Sequence, residues 1–182
     1  MSLSLLPTYR EDGSLNVIVE SPRGSSVKYK YDAREQVMTV SRPLPLGVVY
    51  PYDWGFVAAT RAEDGDPLDA MVLWDVASHP GVVVPSRPIG MLLVEQTNLE
   101  SGRRERNDRV LVLPHKAPRQ EHLRSVFDLP ERLHDELRGF FMISVAFEGK
   151  ELKILGFVGP KEAAVAVQAA SRAAGHGGPS PS

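Results

Sequence analysis

Cysteine is absent from the 182 residues, which excludes a disulfide framework, a thiolate zinc site and a cysteine nucleophile. No apolar run approaches the ~20 residues that span a bilayer. Met1–Arg10 lacks the basic-then-apolar pattern of a secretory leader. These absences lead us to expect a cytoplasmic protein without a membrane partner. Neither sign of charge dominates: 21 basic residues against 23 acidic ones give a net charge of −2, which supplies no drive toward a polyanion. Nucleic acid is therefore not an expected partner. The P-loop, the dinucleotide glycine pattern, the zinc helix with paired histidines and the Gly-x-Ser-x-Gly elbow are all missing. The five histidines are scattered without ligand spacing.

What is present is an ordinary globular composition, 42% apolar and 24% charged. Glycines and prolines chop the first two thirds into short branched-residue runs, as strands joined by turns require. Strands are expected over 16–20, 27–31, 37–40, 70–74, 81–84, 89–95, 110–113 and 152–158. In the second, Lys28 and Lys30 should share one face. Two helices follow near the C-terminus. Asp128 is the expected cap of the first, with Leu129, Leu133, Leu137 and Phe140 or Phe141 at helical spacing; Gly159-Pro160 opens the second, alanine-rich over 162–174. The expected fold is mainly β (α+β), one domain over 1–174, with a tail over 175–182 too poor in apolar residues to order.

The chemistry concentrates in Glu63-Asp64-Gly65-Asp66-Pro67-Leu68-Asp69-Ala70, just before an expected strand. Gly65 permits a tight turn and Pro67 fixes φ, so Asp64, Asp66 and Asp69 can face one space. Carboxylates so close repel unless a cation neutralises them, and hard ions such as Mg²⁺ take oxygen ligands. A plain solvated acidic turn is the bland alternative. An EF-hand is not, because the loop glycine and the closing glutamate are misplaced.

The run from Asp64 to Ala70 resembles the signature of the soluble family I inorganic pyrophosphatases. Val19-Glu20-Ser21-Pro22, Lys28-Tyr29, Ser41-Arg42, Tyr50 to Phe56, Arg87-Pro88-Ile89-Gly90 and Val112-Leu113-Pro114 reinforce it in order. The resemblance implies a five-stranded OB-type barrel with two flanking C-terminal helices. It further implies metal-dependent hydrolysis of inorganic pyrophosphate, with Mg²⁺ as cofactor and Mn²⁺ as an alternative, in a homo-oligomer that bacterial members build as a hexamer. By the same resemblance Asp64 and Asp69 bind metal and Asp66 takes the proton of the attacking water. Lys28, Arg42 and Tyr50 hold the phosphates, and Glu20 stands beside the metals.

Departures fall on functional positions. Lys30 replaces an acid, and Trp54 replaces a tyrosine while keeping an N–H donor. In the second acidic cluster Glu95 or Gln96 meets the first metal position, Asn107 or Asp108 the second, and Arg109 a phosphate-binding lysine. Ser144-Val145 stands where a Tyr-Lys pair is usual. Residues 100–109 carry four arginines against three acids, so Lys30 and this loop are expected to replace part of the usual metal complement. Two other readings follow: a catalytically impaired homologue that binds a phosphate compound or a protein partner through the same cleft, and an oligonucleotide-binding barrel using Tyr52, Trp54 and Phe56, which the acidic cluster opposes.

Overall fold

The computed structural model describes residues 3–175; the tail expected to be unordered lies, apart from Gly175, outside them. Among the described residues nine strands form: β1 (Leu15–Ser21), β2 (Val27–Asp32), β3 (Val37–Pro43), β4 (Asp53–Val57), β5 (Asp69–Val72), β6 (Val83–Thr97), β7 (Arg104–Arg106), β8 (Arg109–Pro114) and β9 (Lys153–Val158). Two helices, α1 (Glu131–Ser144) and α2 (Pro160–Ala173), follow β8 and β9.

β1 pairs with both β4 and β6, so the order β1-β4-β5-β8-β6 returns to its start and closes a five-stranded barrel. Closure removes the free edges of an open sheet. β6 is long enough to join the ring through its first half and to carry β9 and β7 on its second. Its register shifts between Pro88 and Gly90, where a residue without N–H is tolerated. For this reason the two strands expected over 81–84 and 89–95 are one. At Gly90 a Cβ would stand 2.5 Å from the Val158 carbonyl oxygen and 2.6 Å from Val126 Cγ1, so only glycine lets β9 and Val126 approach β6 this closely.

Period-two alternation sorts the barrel residues. Leu111 and Leu113 of β8 join Leu137, Phe140 and Phe141 of α1, while Val110 and Val112 join Ala163, Val167 and Ala170 of α2. Both faces of β8 are covered, which explains its unbroken apolar run. Two strands escape the periodicity. β4 has Asp53 and Gly55 in five residues, and β7 is charged throughout.

Asp128 ends a short 3-10 turn over Val126–Asp128, where its carboxylate accepts from the Arg124 and Ser125 N–H groups. Asp128 therefore does not cap α1 as expected: it closes a capping box with Ser125, the N-cap of this turn, and the N-cap of α1 is Pro130, which makes no side-chain cap bond. Gly159-Pro160 opens α2 as expected.

Candidate active site

Three structural pieces meet at the cleft: the turn before β5, the β2–β3 hairpin and the loop after α1. In the turn, Gly65 takes φ +86°, and the Asp66 N–H donates to Asp64 Oδ1 at 3.1 Å. Asp69 begins β5. Burial pushes its carboxyl above the ordinary range, opposed by Arg109 and Lys28. Asp64 is raised as well, by burial first and then by Asp69, Asp66 and Glu105. Glu20, 6% exposed at the end of β1, accepts the Tyr31 N–H at 2.7 Å. Burial lifts it to about 7, and the charge of Asp69 adds to the lift.

The hairpin places Lys28 opposite Arg42 in register. The Tyr29 N–H donates to Ser21 Oγ at 2.9 Å, which ties the hairpin to the barrel. Burial pulls the Lys28 ammonium below its ordinary pKa. Arg42 donates through Nη2 to the Ser144 carbonyl at 2.9 Å and pairs with Glu148 at 3.2 Å. Lys30 does share the cleft side, and its ammonium reaches Asp66 Oδ2 at 2.8 Å with both side chains about half exposed. Burial pulls the Lys30 pKa down, but the hydrogen bond and charge of Asp66 outweigh it, so the net shift is upward.

Two cavities meet at Asp69. An outer one of about 510 Å³ is lined by Glu20, Asp32, Asp66 and Asp69 against a single cation, Lys30. The inner one, about 80 Å³, reverses the balance: Lys28, Arg42, Arg109 and Lys150 face only Asp69 and Glu148. Tyr50 and Trp54 form part of its wall, stacked with ring centroids 6.2 Å apart. Burial raises the Tyr50 phenol far above its usual value, so it stays a neutral donor. Trp54 Nε1 and the Nε and Nη1 of Arg109 are buried with no hydrogen-bond partner. The Arg109 guanidinium lies over the Phe141 ring at 5.3 Å, and Trp54 packs against the same ring at 5.5 Å.

Most of the residues singled out from the sequence converge here. Asp64 lines neither cavity and keeps its carboxylate toward its own turn. Glu95 and Asp108 are not brought to the cleft cavities either. Glu95 pairs with Arg104 at 3.7 Å, and Asp108 accepts the Val94 N–H at 2.8 Å and three bonds from Arg106. Their neighbours Gln96 and Asn107 line the inner cavity instead. Successive strand residues face opposite sides, so Glu95 and Gln96 of β6 cannot both point inward. Ser144 and Val145 line the cavity without adding charge. Glu148 and Lys150, which no spacing in the sequence marks, supply it a few residues later.

Among the described residues no three Asp, Glu or His side chains are gathered closely enough to cage a cation alone. The donor set still suits a hard divalent ion, because the Asp69 carboxylate lies close enough to Glu20 and to Asp64 to raise the pKa of each, and Asp66 raises those of Asp64 and Asp69. Mg²⁺ commonly binds through one or two carboxylates, keeping waters and substrate phosphates as its remaining ligands. An incomplete cage is therefore compatible with it.

A closed OB-type barrel with acid on one flank of a cleft and unpaired donors on the other is suited to holding an anion and a cation together. A family profile described as inorganic pyrophosphatase matches residues 17–174. The chain is 40% identical over 157 residues to the inorganic pyrophosphatase of Synechocystis, covering 86% of this chain and 89% of that protein. It is 35% identical over 164 residues to that of Saccharolobus solfataricus, covering 88% and 92%. The crystal structure of inorganic pyrophosphatase from Thermus thermophilus superimposes with a TM-score of 0.87 at 34% identity, covering 96% of this chain and 99% of that one. The chain belongs to the inorganic pyrophosphatase family, in its soluble family I form, whose members depend on metal.

Proposed function

We propose that this chain hydrolyses inorganic pyrophosphate to two phosphates with Mg²⁺ as the activating ion. The observation that carries this reading is the polarity of the cleft: carboxylates on the outer side, buried donors without partners on the inner side, and Asp69 shared between them. Asp69, Asp64 and Glu20 are the residues that would hold the ion. Bound there, Mg²⁺ supplies neutralising charge and lowers the pKa of a water. Asp66, half exposed at the mouth, accepts the proton of the attacking water once Lys30 releases it. Lys28, Arg42 and Arg109, which line the inner cavity, offset the charge that grows on the leaving phosphate as the P–O bond breaks. Tyr50 and Trp54 donate hydrogen bonds without changing the net charge.

The Lys30–Asp66 ion pair and the neutral Gln96 and Asn107 favour a second reading, a homologue that binds a phosphate compound with little turnover. Phosphate release from pyrophosphate with Mg²⁺ and then Mn²⁺, run beside an Asp66→Asn, Asp69→Asn double variant, separates the two. The first reading expects release that the double variant abolishes; release no greater than that of the variant supports the second. Self-association, with a hexamer as the expected form, is part of the proposal. Exposed Leu46, Phe127 and Phe147 offer apolar surface for it, and the mass in solution by light scattering tests it.

A further inference from the structure

The loop following α1, residues 145–150, reaches the inner cavity and is held there by Arg42. The Ser144 carbonyl accepts from Arg42 Nη2 at 2.9 Å, and Glu148 pairs with Arg42 Nε at 3.2 Å. That contact compensates the charge of Glu148. Lys150, partly buried two residues on and also lining the cavity, has no ion pair or hydrogen bond among the described residues.

An independent observation says what such an ammonium faces. Trp54 and Arg109 are 4% and 5% exposed, yet Trp54 Nε1 and Arg109 Nε and Nη1 find no acceptor. Leaving buried donors unpaired is costly, so the cavity is suited to a group that brings acceptor atoms with it. Indole, guanidinium and ammonium groups donate and cannot accept, which selects a ligand with several unprotonated oxygens. The cavity of about 80 Å³ holds roughly two to three waters' share of volume, the scale of one phosphate group. Four cations against two carboxylates leave an excess of positive charge for a phosphate dianion.

We propose that Lys150 is a phosphate-binding residue of this chain, closing the inner cavity over the oxygens that Arg109 and Trp54 receive. The inference rests on the phosphate-handling reading above, but it concerns binding and does not require turnover. The loop keeps Lys150 within reach whether the cavity holds one end of the substrate or a product.

The test compares Lys150→Met and Lys150→Arg with the unaltered chain, using inorganic phosphate as the probe in calorimetry and pyrophosphate in steady-state kinetics with Mg²⁺. Loss of one charge-assisted bond should weaken phosphate binding and raise KM roughly tenfold in Lys150→Met, with a smaller change in kcat and an unchanged Tm. Lys150→Arg should recover most of the affinity, which a purely structural role for the methylene stem would not predict. Phosphate affinity and KM equal to those of the unaltered chain in a folded Lys150→Met would overturn the proposal. If the chain binds phosphate in a Lys150-dependent way but releases none from pyrophosphate, the hydrolytic reading falls and the inference stands. Pyrophosphate hydrolysis whose KM, together with the affinity for phosphate, is the same in Lys150→Met as in the unaltered chain gives the reverse result: the hydrolytic reading stands and the inference falls.

Discussion

Lys30 and Asp66 form the most consequential contact in the cleft, because an ammonium occupies the carboxylate best placed to take a proton. The pair is about half exposed, so it adds little to stability, and breaking it should cost under ~1 kcal/mol. Its effect should be on function. Lys30→Gln frees Asp66 and should lower the Mg²⁺ concentration needed for half-maximal phosphate release several-fold; an unchanged Mg²⁺ midpoint would show that the ammonium does not compete. Glu20 makes a second prediction at this scale. Its folded pKa of about 7 lies above the ordinary 4.5, so the folded state holds a proton that the unfolded state gives up. The associated stability is present below pH ~4.5 and is lost as pH rises through ~7, amounting to roughly 3 kcal/mol. In the absence of divalent ions the urea midpoint should therefore fall between pH 5 and pH 8, and Glu20→Gln should flatten that slope.

At the scale of elements, β6 is the strand on which closure depends, and the packing of β9 and Val126 against it requires the missing side chain of Gly90. Gly90→Ala forces the Val126 side chain and the β9 backbone to move and should destabilise by about 1–3 kcal/mol in urea titration. Gly139 is the counterpart: it lies inside α1 with open space where a Cβ would go. Gly139→Ala should stabilise by up to about 1 kcal/mol. Opposite signs for the same substitution would separate packing from helix propensity. The elements also show why some site residues were legible and others not. Asp64, Asp66 and Asp69 sit in one turn, so their proximity is a local property of seven residues. Choosing Gln96 over Glu95, and Asn107 over Asp108, requires knowing which face of β6 and which side of the β7–β8 junction meet the cleft. That is settled by pairing with β9 and by the contacts Arg106 makes with Asp108, not by local spacing.

For the whole molecule, the cleft is a junction of parts distant in sequence, since Arg42 of β3 grips the carbonyl of Ser144, |i−j| = 102, at the end of α1. A ligand bridging the hairpin, barrel and loop should tie them together and stabilise all three. A non-hydrolysable pyrophosphate analogue with Mg²⁺ at about 100 times its Kd should add roughly 2.7 kcal/mol to the unfolding free energy. The same addition to Asp69→Asn should give little of that gain, because Asp69 belongs to both cavities. A gain of equal size in the variant would place the ligand elsewhere.

The sequence by itself determined the class of fold and the acidic half of the site. Branched alternation, punctuated by glycine and proline, is a local consequence of strands covered on one or both faces, and the Asp64–Asp69 turn is short enough to carry its own geometry. β4 escaped because Asp53 and Gly55 look unlike a strand. The reasons for both appear only in the folded chain: Asp53 accepts from Trp74 Nε1 and the Arg23 N–H, and a Cβ at Gly55 would overlap the Ile18 carbonyl. Tertiary structure alone decided the anionic-ligand half. Whether Arg109 and Trp54 keep unpaired donors, whether Lys150 reaches the cavity, and whether Lys30 meets Asp66 across 36 residues all depend on how the closed barrel, the hairpin and α1 are brought together. Electrostatics and burial act through space, and the chain's spacing specifies them only after the ring has closed.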